Sequence, residues 1–130
     1  MTEQEIFDTV LTHLREQGKA AATDDGGCRY RDADGTACAV GCLIPDELYD
    51  PVIEGLSVSQ IIRAAVYLHD QAQARAPFTR ITNHIGAEHL QLLQELQDAH
   101  DVYLFDSGMA AWEEGMHRIA RDFYLKYTPA

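Results

Sequence analysis

The feature that most constrains the fold is a stripe of apolar residues near the C-terminal end of the chain. Met109, Trp112, Met116, Ile119 and Phe123 follow one another at alternating steps of three and four residues. This spacing returns to the same side of an α-helix at every turn, so it predicts a helix with one buried face. The sequence therefore predicts that this helix supplies the centre of the core.

Two further helices are marked by their ends. The first is predicted to begin at Thr2, which forms a capping box with Glu5, and to end at Gly18. The second is predicted over residues 55–74, where Ser57 is expected to be the N-terminal cap. Its inner face is predicted to contain Val58, Ile61, Ile62, Ala65 and Val66.

A third helix, which precedes the C-terminal helix in the chain, is predicted over residues 86–101 from its leucine periodicity. Residues 75–85 are predicted to be irregular or only briefly helical, because Pro77 removes a backbone donor and disfavours a helix interior. The buried positions of the third helix are predicted to be Leu90, Leu93 and Leu96.

A short β-hairpin is predicted between the first two helices. Residues 28–32 alternate apolar and charged side chains, as in a strand with one buried face. Ala33, Asp34 and Gly35 supply a turn, and residues 36–40 are expected to return as the second strand. Tyr30 is predicted to be buried. Two strands alone are marginal in water, so the hairpin is expected to pack against the helices.

The composition is that of a globular protein with a strongly acidic charge. With 130 residues, of which 46% are hydrophobic, the chain is predicted to form a single domain over residues 1–130. The predicted fold class is α+β, mostly α, with a four-helix core and one small hairpin. The N-terminus lacks a basic, apolar leader and no apolar run matches a bilayer span, so a cytoplasmic location is expected.

The charge balance limits the partners. Ten Lys and Arg residues against 21 Asp and Glu residues give a net charge of −11. Such a surface repels phosphate backbones and anionic lipids, so direct binding to nucleic acid or to a membrane is not expected. The charge favours a basic protein surface as the partner.

The cysteines are the first candidates for chemistry. A structural zinc site takes four ligands, usually as two close pairs. Cys38 and Cys42 form one loose pair and Cys28 stands alone, so a zinc site would need a histidine from elsewhere in the chain. Free cysteine is commonly a small buried hydrophobe. We therefore expect reduced thiols, no metal and no cofactor.

The histidines are the second candidates. An aspartate directly follows a histidine at His69–Asp70 and at His100–Asp101. Adjacent residues on an α-helix point in different directions, so neither pair is expected to form a dyad and the histidines are expected to face solvent. The chain contains no phosphate-binding loop, no dinucleotide-binding glycine motif and no serine-nucleophile elbow.

The acidic residues near the predicted hairpin are the third candidates for a functional site. Some of them lie in or beside a short helix that is expected to begin at Pro45. Surface charges raise association rates but exposed ion pairs contribute little affinity, so a binding surface also needs apolar anchors. The predicted steering patch consists of Asp24, Asp25, Asp46, Glu47 and Asp50. The predicted exposed anchors beside it are Tyr49 and Phe78.

The stretch GGCRYRDADGTACAVGCLIPDELYDPVIEG, residues 26–55, resembles a family of small uncharacterised proteins found mostly in bacteriophage and prophage genomes. The shared pattern is a Cys-x-Tyr-Arg strand, a glycine turn, a Cys-Ala-x-Gly return and Leu-Ile-Pro-Asp with a following Tyr. The resemblance implies an accessory protein of the host cytoplasm and carries no activity. The matching positions are Cys28, Tyr30, Arg31, Gly35, Cys38, Ala39, Gly41, Leu43, Ile44, Pro45, Asp46 and Tyr49.

The leading prediction is a small acidic protein-binding protein without catalytic activity, phage-encoded, that modulates or inhibits a host factor by binding its basic surface. Two alternatives remain open. One is an enzyme of unrecognised type, with a site near the hairpin that uses Tyr30, Arg31, Asp46 or a histidine. The other is a DNA mimic that blocks a nucleic-acid-binding protein.

Overall fold

The computed structural model describes residues 1–21, 29–67 and 71–130. Three 3₁₀ turns, Gly41–Leu43, Pro51–Ile53 and Ala87–His89, connect longer helices. Within the described ranges, no helix is long and apolar enough to cross a membrane. The other helical elements are α1 (Glu3–Gln17), α2 (Val58–Tyr67), α3 (Ala72–Ile85), α4 (Leu90–Asp98), a π-helix (Ala99–Leu104), the three-residue α5 (Phe105–Ser107) and α6 (Met109–Asp122).

The predicted helix starts are confirmed by their hydrogen bonds. At α1 the Glu5 N–H donates to Thr2 Oγ1 over 3.1 Å, and the Thr2 N–H donates to Glu5 Oε1 over 3.0 Å. Gly18 ends this helix in the left-handed conformation, with φ 72°. At α2 the Ser57 N–H donates to Gln60 Oε1 over 2.8 Å, and the Gln60 N–H donates to Ser57 Oγ over 3.2 Å. Each cap satisfies backbone donors that have no partner inside the helix.

The core lies where α1, α4 and α6 meet, and the predicted stripe of α6 contributes its centre. Trp112, Met116 and Ile119 are buried, whereas Met109 and Phe123 are partly exposed at its ends. On α4, Leu93 and Leu96 are buried as predicted. Leu90, which was also predicted to be buried, is only partly buried, and Leu92 is buried in addition. The residues that α1 buries completely are Ile6, Phe7, Val10 and Leu14.

The predicted β-hairpin, and with it the α+β fold class, is wrong, because the described part of the chain contains no strand and is mostly helical. Only an isolated bridge joins Arg31 to Ala37, with Gly35 at φ 88° in the turn between them. Tyr30 is nevertheless buried, as predicted.

The hairpin fails because its hydrogen-bond partners are taken by other groups. A ladder would need the Tyr30 N–H to donate to the Cys38 carbonyl. Instead, the Tyr30 N–H donates to Glu54 Oε1 over 3.0 Å, and the Cys38 carbonyl accepts the Cys42 N–H over 3.1 Å. The chain beyond Cys38 therefore curls into the turn Gly41–Leu43 instead of continuing as a strand.

The expectation of an irregular segment at residues 75–85 is also wrong, because α3 continues through Pro77. Phe78, Ile81 and Ile85 repeat at helical spacing and are all buried. Burial of such side chains contributes roughly 1.5–3 kcal/mol each, which offsets the proline penalty of about 3 kcal/mol. At the end of α2, Val66 is 62% exposed, so its predicted place on the inner face is wrong.

The chain beyond α6 packs back onto the first helix. Arg15 Nε and an Nη atom donate to the two carboxylate oxygens of Glu113 over 2.6 and 2.9 Å, and the Tyr127 hydroxyl donates to the same carboxylate over 2.7 Å. Gln4 and the backbone of Lys126 exchange two hydrogen bonds of 3.1 and 2.9 Å. These contacts hold the C-terminal segment, residues 126–127, against α1 and α6.

Candidate functional site

A cleft of about 1010 Å³ lies between α4 and the chain segments 29–38 and 55–58. The residues that α4 and the π-helix contribute are three or four positions apart, so they share one helix face. On this side the cleft is lined by Gln91, Gln94, Glu95, Asp98 and Asp101. On the opposite side it is lined by Arg29, Tyr30, Cys38, Leu56, Ser57 and Val58.

Carboxylates outnumber cations in this cleft. Glu95, Asp98 and Asp101 contribute three negative charges and Arg29 contributes one positive charge, so the lining residues that the structure describes carry a charge of −2. Among the residues that the structure describes, neither Glu95 nor Asp98 has a cationic group within salt-bridge distance. Both carboxylates can therefore form a salt bridge with a cation from another molecule.

A completely buried histidine lies behind the cleft. His100 Nδ1 is 2.7 Å from Asp101 Oδ1, and His100 Nε2 is 3.0 Å from the backbone nitrogen of Ala21. A backbone N–H can only donate, so Nε2 accepts that bond and the proton lies on Nδ1, which donates to Asp101. The expectations that His100 faces solvent and forms no pair with Asp101 are therefore wrong.

The π-helix explains this pairing. It turns less per residue than an α-helix, so side chains of adjacent residues lie closer together. His69 and Asp70, which were also predicted not to form a dyad, lie outside the described residues. His84 and His117 are exposed, as expected. A π-helix has no simple sequence signature, and this is why the pair was not predicted.

Gln97 completes the support of Asp101. Its Nε2 donates to Asp101 Oδ1 over 2.9 Å, and its Oε1 accepts the N–H of Val40 over 3.0 Å. The Asp101 carboxylate thus accepts two hydrogen bonds within the protein before any ligand arrives. Its orientation toward the cleft is preorganised, which reduces the entropy that binding would otherwise cost.

The hydroxyl of Tyr30 and the thiol of Cys38, which both line this cleft, are engaged in hydrogen bonds within the protein. The Tyr30 hydroxyl donates to the Leu56 carbonyl over 2.6 Å, and burial raises the pKa of Tyr30 far above its usual value. Cys38 Sγ accepts the Gly41 N–H over 3.3 Å, and burial strongly raises the pKa of that thiol. At neutral pH neither side chain supplies the anion that a nucleophile or general base requires.

The predicted steering patch is brought together only in part. Asp46 accepts a hydrogen bond from Arg31 over 2.6 Å, and the Arg31 guanidinium lies 4.8 Å from the centre of the Tyr49 ring. Arg31 also donates to the Ile44 carbonyl. Glu47 is exposed, and the short helix expected after Pro45 is only a turn.

Asp50 has a structural partner, because its Oδ1 accepts the Val52 N–H over 2.9 Å at the start of a 3₁₀ turn. Asp24 and Asp25 lie outside the described residues. Two members of the predicted patch, Asp46 and Asp50, therefore already have partners within the chain.

The two predicted anchors differ in exposure. Tyr49 is partly exposed and its hydroxyl donates to Glu54 Oε2 over 2.6 Å; burial and this carboxylate raise the pKa of Tyr49 to about 12. Phe78 is only 5% exposed, so its prediction as an exposed anchor is wrong. It belongs to the buried face of α3 together with Ile81 and Ile85.

Glu54 is a residue that the sequence reasoning missed. Its carboxylate accepts the N–H groups of Tyr30 and Arg31 and the hydroxyl of Tyr49, at 3.0, 3.1 and 2.6 Å. It therefore joins the segment predicted as a strand to the loop that carries the predicted patch. Nothing around Glu54 in the sequence marks it for this role, because two of its three partners, Tyr30 and Arg31, are more than 20 residues away in the chain.

The thiols of Cys38 and Cys42 are free. Cys42 Sγ donates to the Ala39 carbonyl over 3.0 Å, and burial raises the pKa of Cys42 to about 12. In the part of the chain that the structure describes, no cluster of three or more potential metal ligands is present. Cys28 lies outside that part.

The geometry favours the cleft beside α4 as the candidate binding site, ahead of the patch predicted around Asp46. The sequence reasoning did not single out Glu95 and Asp98 on α4, because their position opposite Tyr30 and Cys38 depends on the tertiary fold. The resemblance to phage and prophage proteins stays a prediction. No family model matches the chain, and neither a curated protein nor a solved structure is significantly similar to it.

Proposed function

We propose that this protein is a non-catalytic binding protein whose acidic cleft receives a basic segment of another protein. The observation that carries the proposal is that Glu95 and Asp98 line a cleft and that no cationic group of the described residues lies within salt-bridge distance of either carboxylate. Carboxylates in a cleft attract cations more strongly than carboxylates on an open surface, because low-dielectric walls focus their field. Arginine is the favoured partner, since its guanidinium pairs with a carboxylate through two parallel hydrogen bonds.

The rest of the molecule supports this role. The net charge of −11 speeds the approach of a basic partner. Gln91 and Gln94 add neutral donors and acceptors on the same wall, and His100 and Gln97 hold Asp101 in place. A preorganised acidic wall is what binding requires, while Tyr30 and Cys38 contribute no free acid, base or nucleophile.

We further propose that the partner is a host factor and that binding takes place in the host cytoplasm, as the resemblance to phage and prophage proteins implies. In this proposal the basic segment is part of the host protein's own working surface. Occupation of that segment by the cleft then modulates or inhibits the host protein without any chemical step.

Calorimetric titration with a short oligo-arginine peptide tests the proposal. We expect the double variant Glu95→Gln/Asp98→Asn to weaken peptide binding about tenfold, because two partly exposed charge pairs contribute roughly 0.5–1 kcal/mol each. Binding to the wild type is expected to weaken as the salt concentration rises.

The control removes the same number of charges elsewhere. Asp46→Asn/Glu47→Gln also lowers the net negative charge by two, but it acts at the patch that the sequence predicted. We expect this variant to bind the peptide within about twofold of the wild type. Equal losses in the two double variants would show that only the overall charge matters, and absence of binding to the wild type would refute the proposal directly.

A further inference from the structure

Two exposed apolar side chains continue the helix that forms the acidic wall of the cleft. Val102, in the π-helix, is 52% exposed, and Phe105, in α5, is 40% exposed. The residue between them that faces the core, Leu104, is buried. Val102 and Phe105 therefore lie on the solvent-exposed side of the helical run from α4 to α5, away from the side that faces the core.

The register places these side chains next to the cleft carboxylates. Val102 follows Asp98 by four residues, and Phe105 follows Asp101 by four. Residues four apart lie one above the other on a helix, and the wider turn of the π-helix keeps them aligned. The apolar pair thus extends the carboxylate row by one turn.

We propose that this combined surface, made of the carboxylates of Glu95, Asp98 and Asp101 and the apolar pair Val102 and Phe105, binds an amphipathic basic segment. The inference rests on the proposed function and names the chemistry of its partner. Arginine or lysine side chains of the segment pair with the carboxylates, and a large apolar side chain packs on Val102 and Phe105.

The size of the surface sets the length of the segment. From Glu95 to Phe105 the helical run is about 15 Å long, at 1.5 Å per residue. An extended chain covers that distance with roughly five residues. The partner segment is therefore short, with its cationic residues at one end and its apolar residue at the other.

Charge complementarity decides what occupies the surface. Asp101 and the exposed Asp106 flank the apolar pair on both sides in the chain. A second copy of this chain would bring its own net charge of −11 against the same carboxylates, so self-association through this face is disfavoured. An acidic partner is disfavoured for the same reason, and an apolar partner without cations would leave the carboxylates without a counter-charge.

The apolar pair also has an energetic role. Exposed ion pairs attract a partner over several ångströms but hold it weakly once bound. Long-lived complexes depend on a few apolar or aromatic side chains that exclude water at the centre of the contact. The carboxylates accordingly raise the association rate, and Val102 and Phe105 lower the dissociation rate.

Two probe peptides with the same number of arginines test the inference. One carries a leucine pair at its C-terminal end and the other carries a serine pair there. We expect the wild-type protein to bind the leucine peptide about tenfold more tightly at physiological salt. The double variant Val102→Ser/Phe105→Ser is expected to bind both peptides equally, with affinity for the serine peptide unchanged within about twofold.

The control variant is Val66→Ser/Tyr67→Ser, which removes an exposed apolar pair from α2. It is expected to keep the tenfold preference. Loss of the preference in this control as well would overturn the inference, because the leucines would then be binding apolar surface indiscriminately.

The comparison of the two peptides on the wild type needs no variant to fold. Equal affinity there overturns the inference even if Glu95→Gln/Asp98→Asn still weakens binding, in which case the proposed function stands. If Glu95→Gln/Asp98→Asn leaves both affinities unchanged, the proposed function itself fails.

Discussion

Gly41 lies against the backbone of Tyr30, and its replacement by alanine tests how these two chain segments meet. A Cβ atom at position 41 would be 1.9 Å from the Tyr30 carbonyl oxygen and 2.7 Å from its carbonyl carbon. Ordinary contacts begin near 3.4 Å, so the segments must separate by about 1.5 Å. Because both clashing atoms belong to the backbone, no side-chain rotation relieves the contact.

The cost follows from what the separation breaks. The Cys38 N–H donates to the Tyr30 carbonyl over 3.3 Å, and the Gly41 N–H donates to Cys38 Sγ over 3.3 Å. A lost hydrogen bond costs about 1 kcal/mol and overpacking a further 1–3 kcal/mol, so we expect a loss of about 3 kcal/mol. With about 2.1 cal/mol/K of unfolding entropy per residue, this lowers the Tm of a 130-residue chain by about 11 °C.

Thermal and urea unfolding, followed by circular dichroism, measure the effect, and Gly35→Ala is the control. Gly35 has φ 88°, but a methyl group at this position would meet no atom within 4 Å, so alanine there introduces backbone strain without a clash. We expect it to cost about 1 kcal/mol, or about 4 °C. If Gly41→Ala is no more destabilising than Gly35→Ala, the close approach of residues 30 and 41 is refuted.

Three further predictions concern groups that titrate. Burial and a neighbouring carboxylate raise the pKa of Tyr49 to about 12, so the stability from its neutral phenol is complete below pH about 10 and is lost as the pH rises toward 12. Urea unfolding on either side of pH about 10 is expected to show this loss in the wild type and not in Tyr49→Phe. Hydrogen bonds from an arginine and a tyrosine hold the pKa of Glu113 below its usual 4.5, so its contribution is present above that pH and is lost as the pH falls further. Glu113→Gln is expected to lower stability at neutral pH and to flatten this acid loss, and an unchanged acid profile would contradict the assignment. Burial raises the pKa of Cys38 and Cys42, so a Cys28→Ser variant is expected to react slowly with a thiol reagent at pH about 8 until urea unfolds it. Rapid labelling of the folded variant would show that these thiols are accessible.

Local chemistry was sufficient to predict the helix ends and the central helix. The caps at Thr2 and Ser57 depend on hydrogen bonds between residues three positions apart, so no distant residue alters them. The stripe through Trp112, Met116 and Ile119 likewise depends on one helix alone, because it shows only which side of that helix is buried. Periodicity carries this information because burial is the main stabilising term for such a helix.

The hairpin could not be predicted because a distant residue decides it. The Tyr30 N–H has two candidate acceptors, the Cys38 carbonyl nearby and the carboxylate of Glu54, 24 residues further along the chain. A charged acceptor makes the stronger hydrogen bond, and Glu54 takes the donor. Of residues 29–32 only Tyr30 is buried, so the alternation in the sequence marks one buried side chain and does not lead to a strand.

The sequence by itself determined that Leu93 and Leu96 lie on the buried side of α4 and that the whole chain is negatively charged, but it did not single out the opposite, polar face with Glu95 and Asp98. Only the tertiary structure decided that this face lines a cleft opposite Tyr30 and that His100, bonded to a residue 79 positions away, holds Asp101 in place. Periodicity shows which side of a helix avoids the core, but it contains no information about what stands opposite that side. That depends on how separate elements pack, and packing is a property of the assembled chain.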